Sequence, residues 1–237
     1  MKLRRSGLHW ACLFALGAVA LVGCQEVVHT VELTVTATEA PSLEDLWEGP
    51  QLAGVELCQT DTTNCAVTDS VGFAQITLPA NQEISYTLKK EGYVSYLVGD
   101  VSDETVEGTT WPMASVELAT LAADLLEIAY PWTGGAVALS LPTSSPRAGV
   151  TYDIMNGTAT AYYFDEAGTP TLDLTATTSN GHGGFVEVSP GEPQFEFGGT
   201  ATNCVPSVAW PGDAPNRIRV PVRVGYQSYG SMNCDTL

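Results

Sequence analysis

The stretch Val27-Val28-His29-Thr30-Val31-Glu32-Leu33-Thr34-Val35-Thr36 alternates in part between β-branched apolar and polar residues. A period of two sends successive side chains to opposite faces, so such a run half-buries as a strand and not as a helix. Shorter runs of the same kind follow at 54–58, 72–78, 84–89 and 93–98. Thr68-Asp69-Ser70-Val71-Gly72 and Pro79-Ala80-Asn81 separate them as turns. Short strands with regular turn punctuation and no helical period predict an all-β sandwich.

From 100 to 112 the pattern lapses into Asp, Glu, Ser, Thr and Gly, the composition of a linker. Leu118, Leu121, Ala122, Leu125 and Ala129 then recur at a spacing that suits one short amphipathic helix over 115–129, packed between domains. Strands are expected again at 137–141, 150–154, 159–164, 171–177, 184–188, 194–197 and 217–226. The expected organisation is a leader over 1–23, a β-sandwich over 24–105, a linker with its helix over 106–135, and a second β-sandwich over 136–237. Units of that size can each bury a core.

The two halves share an order of short motifs. Leu52-Ala53-Gly54-Val55 precedes Thr68-Asp69-Ser70-Val71-Gly72-Phe73 and Leu78-Pro79-Ala80; Arg147-Ala148-Gly149-Val150 precedes Thr178-Ser179-Asn180-Gly181, Gly184-Phe185 and Val188-Ser189-Pro190-Gly191. With Glu91-Gly92-Tyr93 closing the first half, this order resembles the carboxypeptidase regulatory-like (transthyretin-like, prealbumin-like) domain. The likeness is strongest over 50–95, weaker over 136–200, and does not cover 203–237. It implies an accessory β-sandwich module without chemistry of its own.

The N-terminus carries an address. Lys2, Arg4 and Arg5 precede an apolar run over 8–22 broken by His9, the layout of a secretory signal and too short for a membrane span. Leu21-Val22-Gly23-Cys24 resembles the bacterial lipoprotein signal. That resemblance implies cleavage before Cys24 and a lipid anchor on it, with Gln25 favouring the outer membrane. Cleavage would leave six basic residues against 27 acidic ones, a formal charge of −21. Such a field repels nucleic acid and anionic headgroups. The expected partners are the membrane, reached through the lipid, and an envelope protein or glycan.

Four cysteines then remain, Cys58, Cys65, Cys204 and Cys234, and they allow three pairings. The sequence-local pairing, Cys58–Cys65 and Cys204–Cys234, keeps each bridge within one half. A zinc site would want C-x-x-C or histidine ligands, and only His29 and His182 follow the leader. No metal or cofactor is expected.

Catalytic motifs are sparse. Gly225-Tyr226-Gln227-Ser228-Tyr229-Gly230 has one residue too many for a nucleophile elbow. His182-Gly183-Gly184 is read as part of a hairpin turn before Phe185. Carboxylates cluster at Asp100, Asp103, Glu104 and Glu107, and at Asp165, Glu166 and Asp173, without calcium-loop spacing. A glycosidase pair depends on a three-dimensional separation, so a carboxylate hydrolase stays as an alternative. The other alternative is a carbohydrate-binding surface protein using Trp210, Tyr226 and Tyr229 as exposed aromatics. The expectation is a lipid-anchored, non-catalytic structural or binding protein.

Overall fold

The computed structural model describes residues 29–45, 48–102 and 108–235. Cys24 with its motif, and Asp103, Glu104 and Glu107, lie outside the described residues. The first half contains β1 (Thr30–Glu39), β2 (Glu56–Gln59), β3 (Cys65–Val67), β4 (Phe73–Pro79), β5 (Gln82–Lys89), β6 (Ser95–Ser102) and β7 (Thr109–Met113). A helix, α1 (Val116–Leu125), follows. The second half contains β8 (Gly135–Ser140), β9 (Val150–Ile154), β10 (Thr160–Phe164), β11 (Pro170–Thr171), β12 (His182–Val188) and β13 (Gln194–Gly199). It ends with β14 (Thr202–Val208), β15 (Trp210–Pro211), β16 (Arg217–Arg219) and β17 (Tyr226–Asp235). The chain is an all-β protein of two sandwiches.

The alternation read from the sequence orients the strands. In β1, Leu33, Val35 and Ala37 point inward; in β4, Ala74, Ile76 and Leu78 do, while Phe73, Gln75 and Thr77 face out. In β13, Phe195 and Phe197 are fully buried.

Both halves follow one plan. In the first, β1 lies between antiparallel β4 and parallel β7, and this sheet faces β3-β2-β5-β6. In the second, β8 lies between antiparallel β12 and parallel β17, and that sheet faces β9-β13-β16-β15. The correspondence reaches single hydrogen bonds. The Thr68 hydroxyl accepts from the Val55 N–H (2.9 Å) and donates to the Leu52 carbonyl (2.7 Å). The Thr177 hydroxyl accepts from Val150 (2.9 Å) and donates to Arg147 (2.6 Å). The turns that follow close through Gly72 N–H to the Asp69 carbonyl and Gly181 N–H to the Thr178 carbonyl, both 3.1 Å. Gly72 and Gly181 sit at φ +72° and +70°, left-handed backbone that a side chain would strain. The counterpart of Thr68 is therefore Thr177, and that of Phe73 is His182 rather than Phe185.

The halves are not merely tethered. β17 pairs in parallel with β8 on one side and with β6 on the other, so a ten-stranded sheet runs from one half into the other. Trp210, 7% exposed, donates its indole N–H to the Ile84 carbonyl (2.8 Å) and the Asp100 carbonyl (3.0 Å) across the junction. Arg219 stacks over Trp210 and bridges Glu83 (2.5 Å) and Glu192 (2.8 Å).

Four details differ from the sequence reading. The expected strand over 171–177 shrinks to Pro170–Thr171, because Thr177 is spent holding Val150. The expected strand over 217–226 breaks after Arg219, and the chain re-enters the sheets as β17. The helix spans Val116–Leu125, capped by the Ser115 hydroxyl, which accepts from the Leu118 N–H at 3.1 Å. Its inner stripe is Leu118, Ala119, Ala122, Ala123 and Leu126; Leu121 and Leu125 face solvent at 51% and 45% exposure. The disulfides are Cys58–Cys65, joining β2 to β3, and Cys204–Cys234, joining β14 to the end of β17. Glu56 lies beside the first bridge, and oxidation removes its sulfurs as metal ligands.

Candidate functional site

The two faces of the β10-β12-β8-β17 sheet serve different interiors. Alternation sends Tyr163, Phe185, Val137 and Leu139 into the core of the second sandwich, while Tyr162, Val186 and Ala136 face the other way. In the first half the matching outer face of β4 is exposed, with Phe73 at 41%. In the second half β7 and α1 cover it, but incompletely. Between them lies a cavity of about 620 Å³, inside the range of roughly 300–1,000 Å³ usual for small-molecule sites.

Small residues make that room. The roof presents Ala114, Ala119, Ala122 and Ala123, and the floor Ala136 and Ala138. Gly184, beside them, accepts no larger side chain, since a Cβ there would sit 2.0 Å from the Val137 carbonyl oxygen. Trp111, Trp132, Leu126, Ile128, Tyr162 and Val186 complete an apolar wall. Tyr229 packs its ring against Tyr96 (centroids 4.8 Å apart) and Trp111 (5.0 Å). Its phenol is held well above the ordinary range by burial and by the Tyr96 hydroxyl beside it. The Tyr96 hydroxyl, pushed up to about 12 by burial, donates to the Pro112 carbonyl (2.7 Å) and accepts from the Ala114 N–H (2.9 Å). These phenols are neutral donors and packing surfaces at any physiological pH.

One end is polar. His182 and Ser140 are cross-strand partners, as are Ser140 and Ser231, so the three lie in a row across β12, β8 and β17. Arg147, from the loop after β8, reaches this end and lines the cavity with them. The His182 ring packs edge-on against Phe164, and its pKa is lowered to about 4 by burial first and by the Arg147 charge second. It is a neutral imidazole at pH 7. Its main-chain N–H donates to the Asn180 side chain at 3.0 Å. Among the described residues its ring makes no hydrogen bond to a serine or a carboxylate. The expected place in the hairpin turn is therefore corrected: Ser179 and Asn180 form the turn, Gly181 closes it, and His182 opens β12.

The aromatics named from the sequence fall in three different places. Trp210 is in the junction, with its N–H satisfied by main-chain carbonyls. Tyr229 is in the cavity wall. Tyr226 is half-buried beneath the Lys89 ammonium, 5.4 Å from the ring centre. Trp210 and Tyr229 do not form the exposed aromatic face that was expected, because β15 and β17 carry them inward. Sequence reading passed over Arg147, Ser140 and the roof alanines. The run Ala119, Ala122, Ala123 inside a helical period was the available signal, since small residues on a buried stripe leave space.

No family model matches the chain, and no curated protein matches it. Among solved structures, a cohesin–X-dockerin complex from Acetivibrio cellulolyticus is 21% identical, with a TM-score of 0.27, over 38% of this chain and 60% of that one. The minor pilin GBS52 of Streptococcus agalactiae is 15% identical, with a TM-score of 0.27, over 87% of this chain and 96% of that one. The shaft pilin spaA of Lactobacillus rhamnosus GG is 11% identical, with a TM-score of 0.25, over 88% and 99%. Scores this low carry no function across. Among the described residues no helix is long and apolar enough to cross a membrane.

Proposed function

We propose that the chain is a lipid-anchored lipoprotein of the bacterial cell envelope whose two sandwiches bind a small, largely apolar ligand without transforming it. Leu21-Val22-Gly23-Cys24 supports the anchor, with Gln25 favouring the outer membrane, and the likeness to carboxypeptidase regulatory-like domains supports a non-catalytic module. The observation that carries the binding role is the cavity itself: about 620 Å³ between α1 and the sheet, walled by apolar side chains from both halves. A ligand that enters would cover apolar side chains which have no neighbour on that side. A hydrolase has less support, because the one histidine at the site lacks a serine or carboxylate partner. The glycan reading has less as well, because Trp210 is buried in the junction, Tyr229 lines the cavity and Tyr226 lies apart under Lys89, so the three form no common exposed face.

Chain from residue 25 onward contains every described element and is the form to test. It should bind one equivalent of the apolar dye N-phenyl-1-naphthylamine with a rise in fluorescence, and Ala122→Trp, which fills the roof, should abolish the rise while keeping the far-UV spectrum. Undiminished dye binding in a folded Ala122→Trp protein overturns the cavity reading. The anchor is tested apart: Cys24→Ala in the full chain should lose acyl labelling, and retained labelling rules it out.

A further inference from the structure

The cavity lies in a protein with 27 acidic residues, yet none of the described residues that line it is acidic. What it does hold is Arg147. The other arginines of the described chain each meet a carboxylate: Arg217 with Glu196 and Asp213, Arg219 with Glu83 and Glu192, Arg223 with Asp61. Arg147 forms no ion pair among the described residues. Its guanidinium donates to the Asn180 carbonyl, and its Nε is buried without a hydrogen-bond partner. A half-buried guanidinium in a strongly acidic chain ordinarily finds a carboxylate, since the attraction grows as water is excluded. Here the chain leaves that charge to the cavity.

The surroundings agree. Ser140, Ser231 and Thr143 add hydroxyls at the same end. His182 stays neutral beside Arg147 and so presents a hydrogen-bonding ring without a second charge. Asp165 and Glu166, on the neighbouring β10–β11 turn, are engaged elsewhere: Asp165 accepts from the Ala167 and Thr169 N–H groups, and Glu166 accepts from Ser179. Away from this end the walls are mostly apolar, from Tyr162 and Val186 to Ala136 and Trp132, with Gln227, Thr109 and Thr110 as the polar side chains among them. We infer that the ligand is an anionic amphiphile, a long-chain carboxylate with its head on Arg147 and its chain lying between α1 and the sheet. This deepens the proposed binding role and rests on it.

Titration calorimetry on the chain from residue 25 onward separates the two. Dodecanoate should bind at one site, and dodecan-1-ol, which has the same chain without the charge, about 10- to 100-fold more weakly, the range for a charge-assisted hydrogen bond. Arg147→Gln should remove that preference while leaving dodecan-1-ol unchanged, and Arg147→Lys should restore part of it. In wild-type protein the bound carboxylate should raise the His182 pKa, read from its ring proton shifts, because it offsets the Arg147 charge. Equal affinity for the two ligands, or full dodecanoate affinity in a folded Arg147→Gln protein, overturns the carboxylate inference and leaves the cavity reading standing. If neither ligand binds, both fall.

Discussion

A histidine held neutral in the wall of a cavity should mark the acid side of the stability curve. The His182 pKa stands at about 4 against an ordinary 6.5, so above pH 6.5 neither state binds the proton and the residue contributes no pH dependence. Between 6.5 and 4 the unfolded chain takes up a proton that the folded chain refuses, and stability falls as pH falls. Below about 4 both states are charged, and the loss levels off near ~3 kcal/mol. Glu187 has the opposite origin. Its carboxylate is held below the usual range mainly by the Thr133 hydroxyl, so it adds stability above the ordinary carboxylate pKa that is lost on further acidification. Urea denaturation at pH 7.5 and pH 5 should therefore show a drop in the wild type that His182→Phe, which copies Phe73 of the first half, largely removes. An undiminished drop in that variant would assign it to carboxylates. The repeated threonines are testable in the same way. Thr68→Val and Thr177→Val each strand a buried Val N–H and a carbonyl, and each should cost about 1–3 kcal/mol by urea midpoint. A cost below 0.5 kcal/mol at either site would show that the shared motif is geometric and not energetic there.

At the scale of elements, the period of two was sufficient for β1, β4 and β13, because each has one face in a core and one toward water. It failed for 171–177, where the Thr177 side chain is turned to Val150. It failed also for 217–226, where Ile218, Val220 and Val222 keep the alternation and stay buried but the strand stops at Arg219, two residues before Pro221. The helix was legible in position but not in facing. Leu121 and Leu125 are the larger apolar side chains, yet the stripe that packs inward is built on Ala119, Ala122 and Ala123, because a cavity rather than a tight core lies beneath it. The bridges belong to this scale also. Cys58–Cys65 closes a separation of 7 residues and Cys204–Cys234 one of 30. In the loop-entropy account they contribute about 2.5 and 3.5 kcal/mol. Peptide mapping without reduction should recover both and no bridge between the halves. Replacing each pair by serines should cost more for Cys204–Cys234, and the reverse order would place the stabilisation in native packing instead.

For the molecule as a whole, the sequence indicated two sandwiches but not that they share a sheet. Parallel pairing of β17 with both β6 and β8 joins segments far apart in the chain, and no local pattern announces it. What fastens the join is Trp210, which was legible as an aromatic beside a Pro-Gly turn but not as an internal one. Its indole N–H holds carbonyls of β5 and β6, its ring carries Arg219, and Gly99 lies against it so closely that a Cβ there would come within 3.2 Å of the ring. A continuous sheet with a buried tryptophan at the seam should unfold as one unit: circular dichroism and hydrogen exchange of peptides from either half should report the same midpoint. Trp210→Ala removes the packed ring and leaves the Ile84 and Asp100 carbonyls facing a void, at a cost of about 3–5 kcal/mol. That loss falls on the junction, while both sandwich cores and both disulfides stay intact. Exchange in β5–β6 and in β13–β16 should then separate into two transitions. Retention of a single transition at the wild-type midpoint would mean that β6–β17 pairing alone couples the halves and that Trp210 is not what holds them together.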